Sequence, residues 1–174
     1  VNRALSLAPL AVLALVIVVS VVLLLRPGQH QTITTGQLGR PAPHYSLNRL
    51  GGGAPLTSAA ASGKSHLINV FASWCAPCLG ENAELMALKA SGVDIVGVAY
   101  KDAPDDTQVF LDQHGNPYSG VGIDRDGQFG LQLGIAGVPE TFVVNGQDAI
   151  VDVHRGPLTP EAVEQEIFPA LRRR

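Results

Sequence analysis

Sulfur is scarce in this chain, with two cysteines and one methionine among 174 residues. So few thiols exclude a disulfide scaffold, and a chain of this size buries a core without staples. Both cysteines fall in Cys75-Ala76-Pro77-Cys78. A structural zinc site takes about four ligands, usually as two such pairs, and a second pair is absent. Covalent haem attachment requires His directly after the second cysteine; Leu79 stands there. Positive charge is short as well. Lys and Arg number 12 against 15 Asp and Glu, a net of -3, so no basic field invites nucleic acid. His44, His66, His114 and His154 are scattered without metal-ligand spacing, and neither metal nor bound cofactor is expected. There are no internal repeats.

What the chain does have, first, is a long apolar run. Leu7 to Leu25 is apolar except for Ser20, with Pro9 near its start and Arg3 and Arg26 on either side. About 19 residues of helix span roughly 28 Å, close to the thickness of a hydrocarbon core. A secretory signal has a shorter apolar stretch and a small-x-small cleavage site, whereas Leu23-Leu24-Leu25-Arg26-Pro27 follows here. The run is therefore read as an uncleaved single-pass anchor, residues 7–25, behind a short tail, 1–6. Arginines on both sides leave the positive-inside rule undecided. The short tail is the easier end to keep in the cytoplasm, which puts the rest outside. Residues 26–39 are polar and aperiodic and read as a flexible tether. Residues 40–174 form the domain.

Within that domain the elements alternate. His44 to Leu47 suggests a short strand, and Gly51-Gly52-Gly53 a turn. Leu67 to Ala72 is a continuous apolar run suited to a doubly buried central strand, with Asn69 its one polar member. A helix follows from Pro77 to Ala90, then a strand over Val93 to Tyr100, then a helix over Pro104 to His114. Phe129 to Leu133 makes a helical turn. Thr141 to Val144 and Ala149 to Val153 form a hairpin about Asn145-Gly146-Gln147-Asp148. Thr159 caps a last helix with Pro160 at its first position. Asp124-Arg125-Asp126-Gly127 is a turn, lacking the remaining ligands of a calcium loop. The class is α/β, a sheet with helices on both faces.

Trp74-Cys75-Ala76-Pro77-Cys78 sits where the central strand passes into a helix. The thiolate is the attacking form of cysteine. A helix starting at Cys75 sets that sulfur beside unpaired N–H groups and the positive end of the dipole, which favour the thiolate. Pro77 fits the first turn, where a missing N–H costs nothing. Cys75 is thus the expected exposed nucleophile, and Cys78, one turn in and shielded, the resolving thiol. An inert buried pair and a copper-delivery module are the competing readings; no Met or His adjoins the pair to support copper.

The segment Leu67 to Cys78 resembles the membrane-anchored thioredoxin-like proteins. Gly97-Val98-Ala99-Tyr100-Lys101-Asp102, Gly115-Asn116-Pro117-Tyr118, Gly137-Val138-Pro139-Glu140-Thr141-Phe142 and His154-Arg155-Gly156-Pro157-Leu158 resemble, more narrowly, the CcmG/DsbE family. The likeness runs from about Arg40 to Leu171. It implies a thioredoxin-like fold, with a central mixed sheet, and a thiol:disulfide reductase of cytochrome c maturation. Implied partners are apocytochrome c or a haem-ligation protein as substrate, and a membrane dithiol carrier as electron donor. The implied location is the inner membrane, with the catalytic domain in the periplasm. A general disulfide oxidase or isomerase, or a metal- or haem-handling module, would be the alternatives.

The resemblance also implies a cis peptide before Pro139, opposite the dithiol; X-Pro is the only cheap place for one. Trp74, Pro77, Pro139, Glu81 and Glu140 are the expected supporting residues. Glu81 falls one turn beyond Cys78, and Glu140 lies near the pair if Pro139 does. Carboxylates near a thiol disfavour its thiolate and can relay protons. Ordinary thioredoxin has a buried Asp where this chain has Asn69, so any relay here must use another group. Lys101 and Asp102 end a strand near the expected site, with a plain surface pair as the competing reading.

Overall fold

The computed structural model describes residues 12–20 and 36–173. The chain divides into two units, Val1–Ile33 and Thr34–Arg174. In the first, helix α1 covers residues 12–20, and their apolar side chains are exposed. Among the described residues no helix is long and apolar enough to cross a membrane. The expected anchor at 7–25 and the tether at 26–39 fall largely outside the described residues, and the tail at 1–6 wholly so.

The second unit is built on a seven-stranded sheet in the order β2-β1-β5-β4-β3-β6-β7. The centre is β3 (His66–Phe71), buried at every position. It pairs in parallel with β4 (Ile95–Tyr100) and antiparallel with β6 (Glu140–Val144). The β-branched and aromatic residues of these strands bury both faces, as a central strand with helices above and below requires. Beyond β4 lies β5 (Gly120–Asp124), parallel to it; beyond β6 the hairpin continues into β7 (Ile150–Arg155). On the far edge β1 (Ser46–Arg49) joins β5 and the two-residue β2 (Leu56–Thr57).

Alternation along β3 separates two cores. Leu67 and Phe71 face one, together with Cys75, Cys78, Leu85, Leu88, Phe110, Tyr118 and Val143. Ile68 and Val70 face the other, with Tyr45, Phe129, Phe142 and Val144. The order of elements follows what the periodicity implies, with differences that matter for the site and the sheet. β5 carries two glycines and no strand signal, because glycine has little β propensity. Its glycines are required by packing: a Cβ at Gly122 would meet Leu47 Cδ1 at 2.7 Å, and one at Gly120 would meet Leu56 Cδ1 at 2.8 Å. The helix expected from Pro77 to Ala90 is two, α2 (Ala76–Gly80) and α3 (Asn82–Ala90), broken at Glu81. The strand expected from His44 starts at Ser46, since Tyr45 turns its ring into the second core.

The remaining helices are α4 (Pro104–His114) and α5 (Gln128–Leu133). At the C-terminus, α6 (Pro160–Ala162) runs through a π-helical stretch (Val163–Ile167) into α7 (Phe168–Leu171). Thr159 caps this end as expected, its hydroxyl accepting from Ala162 N at 3.2 Å.

Candidate active site

The edge of β3 hands the chain to α2 through Ala72-Ser73-Trp74. Cys75 is the N-cap of α2 in extended conformation, and Pro77 lies in its first turn. Cys75 and Cys78 are joined in a disulfide, their Cα atoms 5.3 Å apart. The Cys78 N–H donates to Cys75 Sγ at 3.2 Å. The expected contrast between an exposed and a shielded thiol is not found in this oxidised state. Cys75 is 5% exposed and Cys78 3%, both within the first core cluster. Exposure passes instead to Trp74, at 59%, and to its neighbours Ala76 and Pro77. The break at Glu81 also shortens the helix behind Cys75. Local N–H groups, rather than a long macrodipole, act on its sulfur.

The turn before Cys75 is held from the β4–α4 connection. Asp102 is a buried brace, not half of a surface pair. Its carboxylate accepts Ser73 N at 2.7 Å, Ser73 Oγ at 2.8 Å, Thr107 Oγ1 at 2.9 Å and Ala103 N at 3.0 Å. Trp74 Nε1 donates to Lys101 O at 3.3 Å, and Lys101 takes a left-handed φ of 48° to present that oxygen.

Glu81 is fully buried where α2 gives way to α3. Its Oε1 accepts from Asn69 Nδ2 at 2.9 Å and its Oε2 from Leu158 N at 3.0 Å. Burial raises its pKa to about 7, opposed by the bonds from Asn69 and Leu158 and by the charge of His154. Asn69 is itself saturated on both sides. Its Nδ2 also donates to Thr141 Oγ1 at 3.0 Å, and its Oδ1 accepts the Tyr118 hydroxyl at 2.8 Å.

Glu140 is also buried but is turned elsewhere. Its Oε1 accepts from Ala136 N at 2.7 Å and Gly137 N at 3.2 Å, and its Oε2 lies 3.8 Å from Arg155 Nε. Burial raises its pKa, with the two N–H donors and Arg155 opposing. In register with Val70 and two residues before Phe142, it shares the face of the second core, across the sheet from the cysteines. Its side chain is therefore turned to the face opposite the cysteine-bearing core, toward the loop before Pro139. It braces the loop leading to Pro139. The Val138–Pro139 bond is cis, Val138 packs against both cores, and Pro139 O accepts from Gly156 N at 2.9 Å.

Tyr118 and Thr141 are neighbours of the site for which the sequence implies no role. Tyr118 had one available signal, its place after Asn116-Pro117, where Asn116 Oδ1 turns the chain by accepting Tyr118 N at 2.9 Å. Asp124, in the rejected calcium-like segment, spends its carboxylate on Phe129 N and Gly130 N at the start of α5. Among the described residues no group of three or more His, Cys, Asp or Glu could hold a metal.

Comparison with known proteins agrees with this geometry. The Redoxin family model matches residues 37–168. The thiol:disulfide interchange protein HelX of Rhodobacter capsulatus is 46% identical over 138 residues, 79% of this chain and 78% of that protein. DsbE of Escherichia coli K12, also a thiol:disulfide interchange protein, is 39% identical over 134 residues, 76% of this chain and 72% of its own. A crystal structure of a thioredoxin-family thiol:disulfide interchange protein from Chlorobium tepidum superposes with a TM-score of 0.63 at 26% identity. It covers 76% of this chain and 97% of that one. With a Cys-x-x-Cys disulfide at the end of the central strand of a thioredoxin-like sheet, the chain belongs to the Redoxin family as a thiol:disulfide oxidoreductase of the DsbE/HelX type.

Proposed function

We propose that this oxidoreductase works as a reductase in cytochrome c biogenesis, on the disulfide of an apocytochrome Cys-x-x-Cys-His segment or of a haem-ligation partner. In the reduced protein the Cys75 thiolate attacks one sulfur of the substrate disulfide. A mixed disulfide forms and one substrate thiolate leaves. Cys78, on losing its proton, attacks Cys75 Sγ. The Cys75–Cys78 bond forms and the second substrate thiolate leaves, so two electrons pass to the substrate; its two thiolates take up the proton lost by Cys78 and the one Cys75 gave to solvent on ionising. A dithiol carrier in the membrane returns the pair of electrons. The apolar run at 7–25, between Arg3 and Arg26, supports an inner-membrane anchor with the domain in the periplasm.

The observation that carries the reducing direction is the burial of Glu81 on the cysteines' side of the sheet. A carboxylate there opposes a second negative charge on a nearby thiolate, which holds the protons on the dithiol and makes the couple a reducing one. With a pKa near neutrality it can accept the proton of the resolving thiol and return it. Trp74 and Pro77 rim the entrance. The cis-Pro139 loop, braced by Glu140, offers backbone for strand-like pairing with an extended substrate.

The test is capture. Cys78→Ala, expressed with cytochrome maturation proteins, holds its substrate as a mixed disulfide through Cys75. Recovery of an apocytochrome or haem-ligation protein is the expected result. Recovery of only unrelated exported proteins, or a reduction potential in the range of strong oxidants near -120 mV, contradicts the proposal in favour of a general oxidase. Tight Cu(I) or haem binding without disulfide reduction would favour a handling module.

A further inference from the structure

Glu81, Asn69 and Tyr118 form one buried hydrogen-bonded line across the sheet beneath the first core. Its polarity is set by chemistry. An asparagine Oδ1 can only accept, so the Tyr118 hydroxyl donates to it at 2.8 Å. Among the described residues the buried Tyr118 hydroxyl has no other acceptor, so turning the amide over would leave its proton unpaired, and this favours the orientation seen. Nδ2 then faces Glu81 Oε1 at 2.9 Å and Thr141 Oγ1 at 3.0 Å. With Leu158 N at Oε2, both carboxylate oxygens meet fixed donors and neither meets an acceptor. The line is thus arranged for the ionised carboxylate, in a place where burial favours the neutral one. Room for Tyr118 is made on purpose. Gly97 lies opposite Asn69 in the β3–β4 register, and a Cβ there would come within 2.7 Å of Tyr118 Cγ. The ring lies over this gap and stacks on Phe71 at 4.7 Å between centroids.

We propose that Tyr118 is a positioning residue of thiol–disulfide exchange, turning the Asn69 amide so that Glu81 remains an acceptor able to take up and release the resolving thiol's proton. This rests on the role assigned above to Glu81 and adds the device that sets it. Without the hydroxyl, the amide is free to turn its Oδ1 toward Glu81, and only a protonated carboxyl can bond to an Oδ1. The titratable groups that act on Glu81 are Tyr118 and His154 on β7. His154 pairs with Glu166 at 2.7 Å and is not altered by the substitution.

The experiment follows the Glu81 carboxyl carbon by NMR in the full oxidised protein, beside the pH profile of dithiol reactivity in the reduced one. Tyr118→Phe keeps the stacked ring and should move the Glu81 midpoint and the reactivity profile upward together, by about half a unit or more. Thr141→Val takes away a neighbouring acceptor but leaves Tyr118 on Oδ1, and should move neither. Equal shifts in the two variants would reveal general loosening and overturn the proposal, as would no shift in Tyr118→Phe. Should Tyr118→Phe not fold, the unmodified protein decides. The Tyr118 Cζ and Asn69 side-chain amide signals must then follow the Glu81 midpoint, and a Tyr118 signal that stays still overturns it. Failure of the reading of Glu81 itself looks different: Glu81→Gln would leave the reactivity profile unchanged.

Discussion

Glu81 and Glu140 are buried on opposite faces of the same sheet. Glu81 is bonded to Asn69 on the side of the cysteines, whereas Glu140, paired with Val70, faces the second core and Arg155. Alternation along a strand decides this, because Glu140 differs by one residue from Thr141, which does reach Asn69. Two carboxylates that the chain presents as equivalent candidates therefore do different work.

The first prediction separates them. Glu81→Gln should remove the component of the dithiol's reactivity that titrates near pH 7 and slow the resolving step about a hundredfold, at the low end of general acid–base contributions of about 10²–10⁴. Glu140→Gln should leave that component in place, since Gln can still accept from Ala136 N and Gly137 N. Stopped-flow fluorescence of Trp74, the one tryptophan and next to Cys75, reads both.

Stability should fall as pH rises. Glu81 titrates at about 7 in the folded protein against 4.5 when unfolded. Between those values the folded state holds more protons, so ∂ΔG/∂pH is negative. The advantage is fully present below pH 4.5 and lost by somewhat above pH 7. The loss is roughly 3 kcal/mol by the linkage relation. Glu140, also raised, adds to it in the same sense. Chemical denaturation between pH 5 and 8 measures the slope, and Glu81→Gln should flatten it.

Asp102→Ala should strip partners from Ser73 N, Ser73 Oγ, Ala103 N and Thr107 Oγ1 at once. Leaving buried donors unpaired costs about 1–3 kcal/mol each where water cannot replace the partner. A loss of about 2–4 kcal/mol is expected by urea denaturation, with slower dithiol oxidation because the turn before Cys75 loses its brace.

Gly97→Ala adds one methyl where the Tyr118 ring lies. Overpacking of this kind costs about 1–3 kcal/mol. The melting temperature should drop, and the near-UV signal of Tyr118 should change as its ring leaves Phe71.

The chain by itself settled the dithiol, the strand that carries it, the cap at Cys75 and the place of Pro77, while the cis bond at Pro139 came from the family resemblance. These are local matters, written in spacing, in the restricted chemistry of proline and in apolar runs, and the resemblance reads the same residues. Tertiary structure decided the rest. It ended the helix at Glu81 and sealed that carboxylate under Leu158, 77 residues further on. It made a strand of Gly120–Asp124 by pairing it between β4 and β1, with Leu47 packed over Gly122. It put Asp102 beneath Ser73 and Tyr118 over Gly97. Desolvation, and with it the raised pKa of Glu81, comes from what the fold lays on top of a residue, and no neighbour in the sequence carries that information.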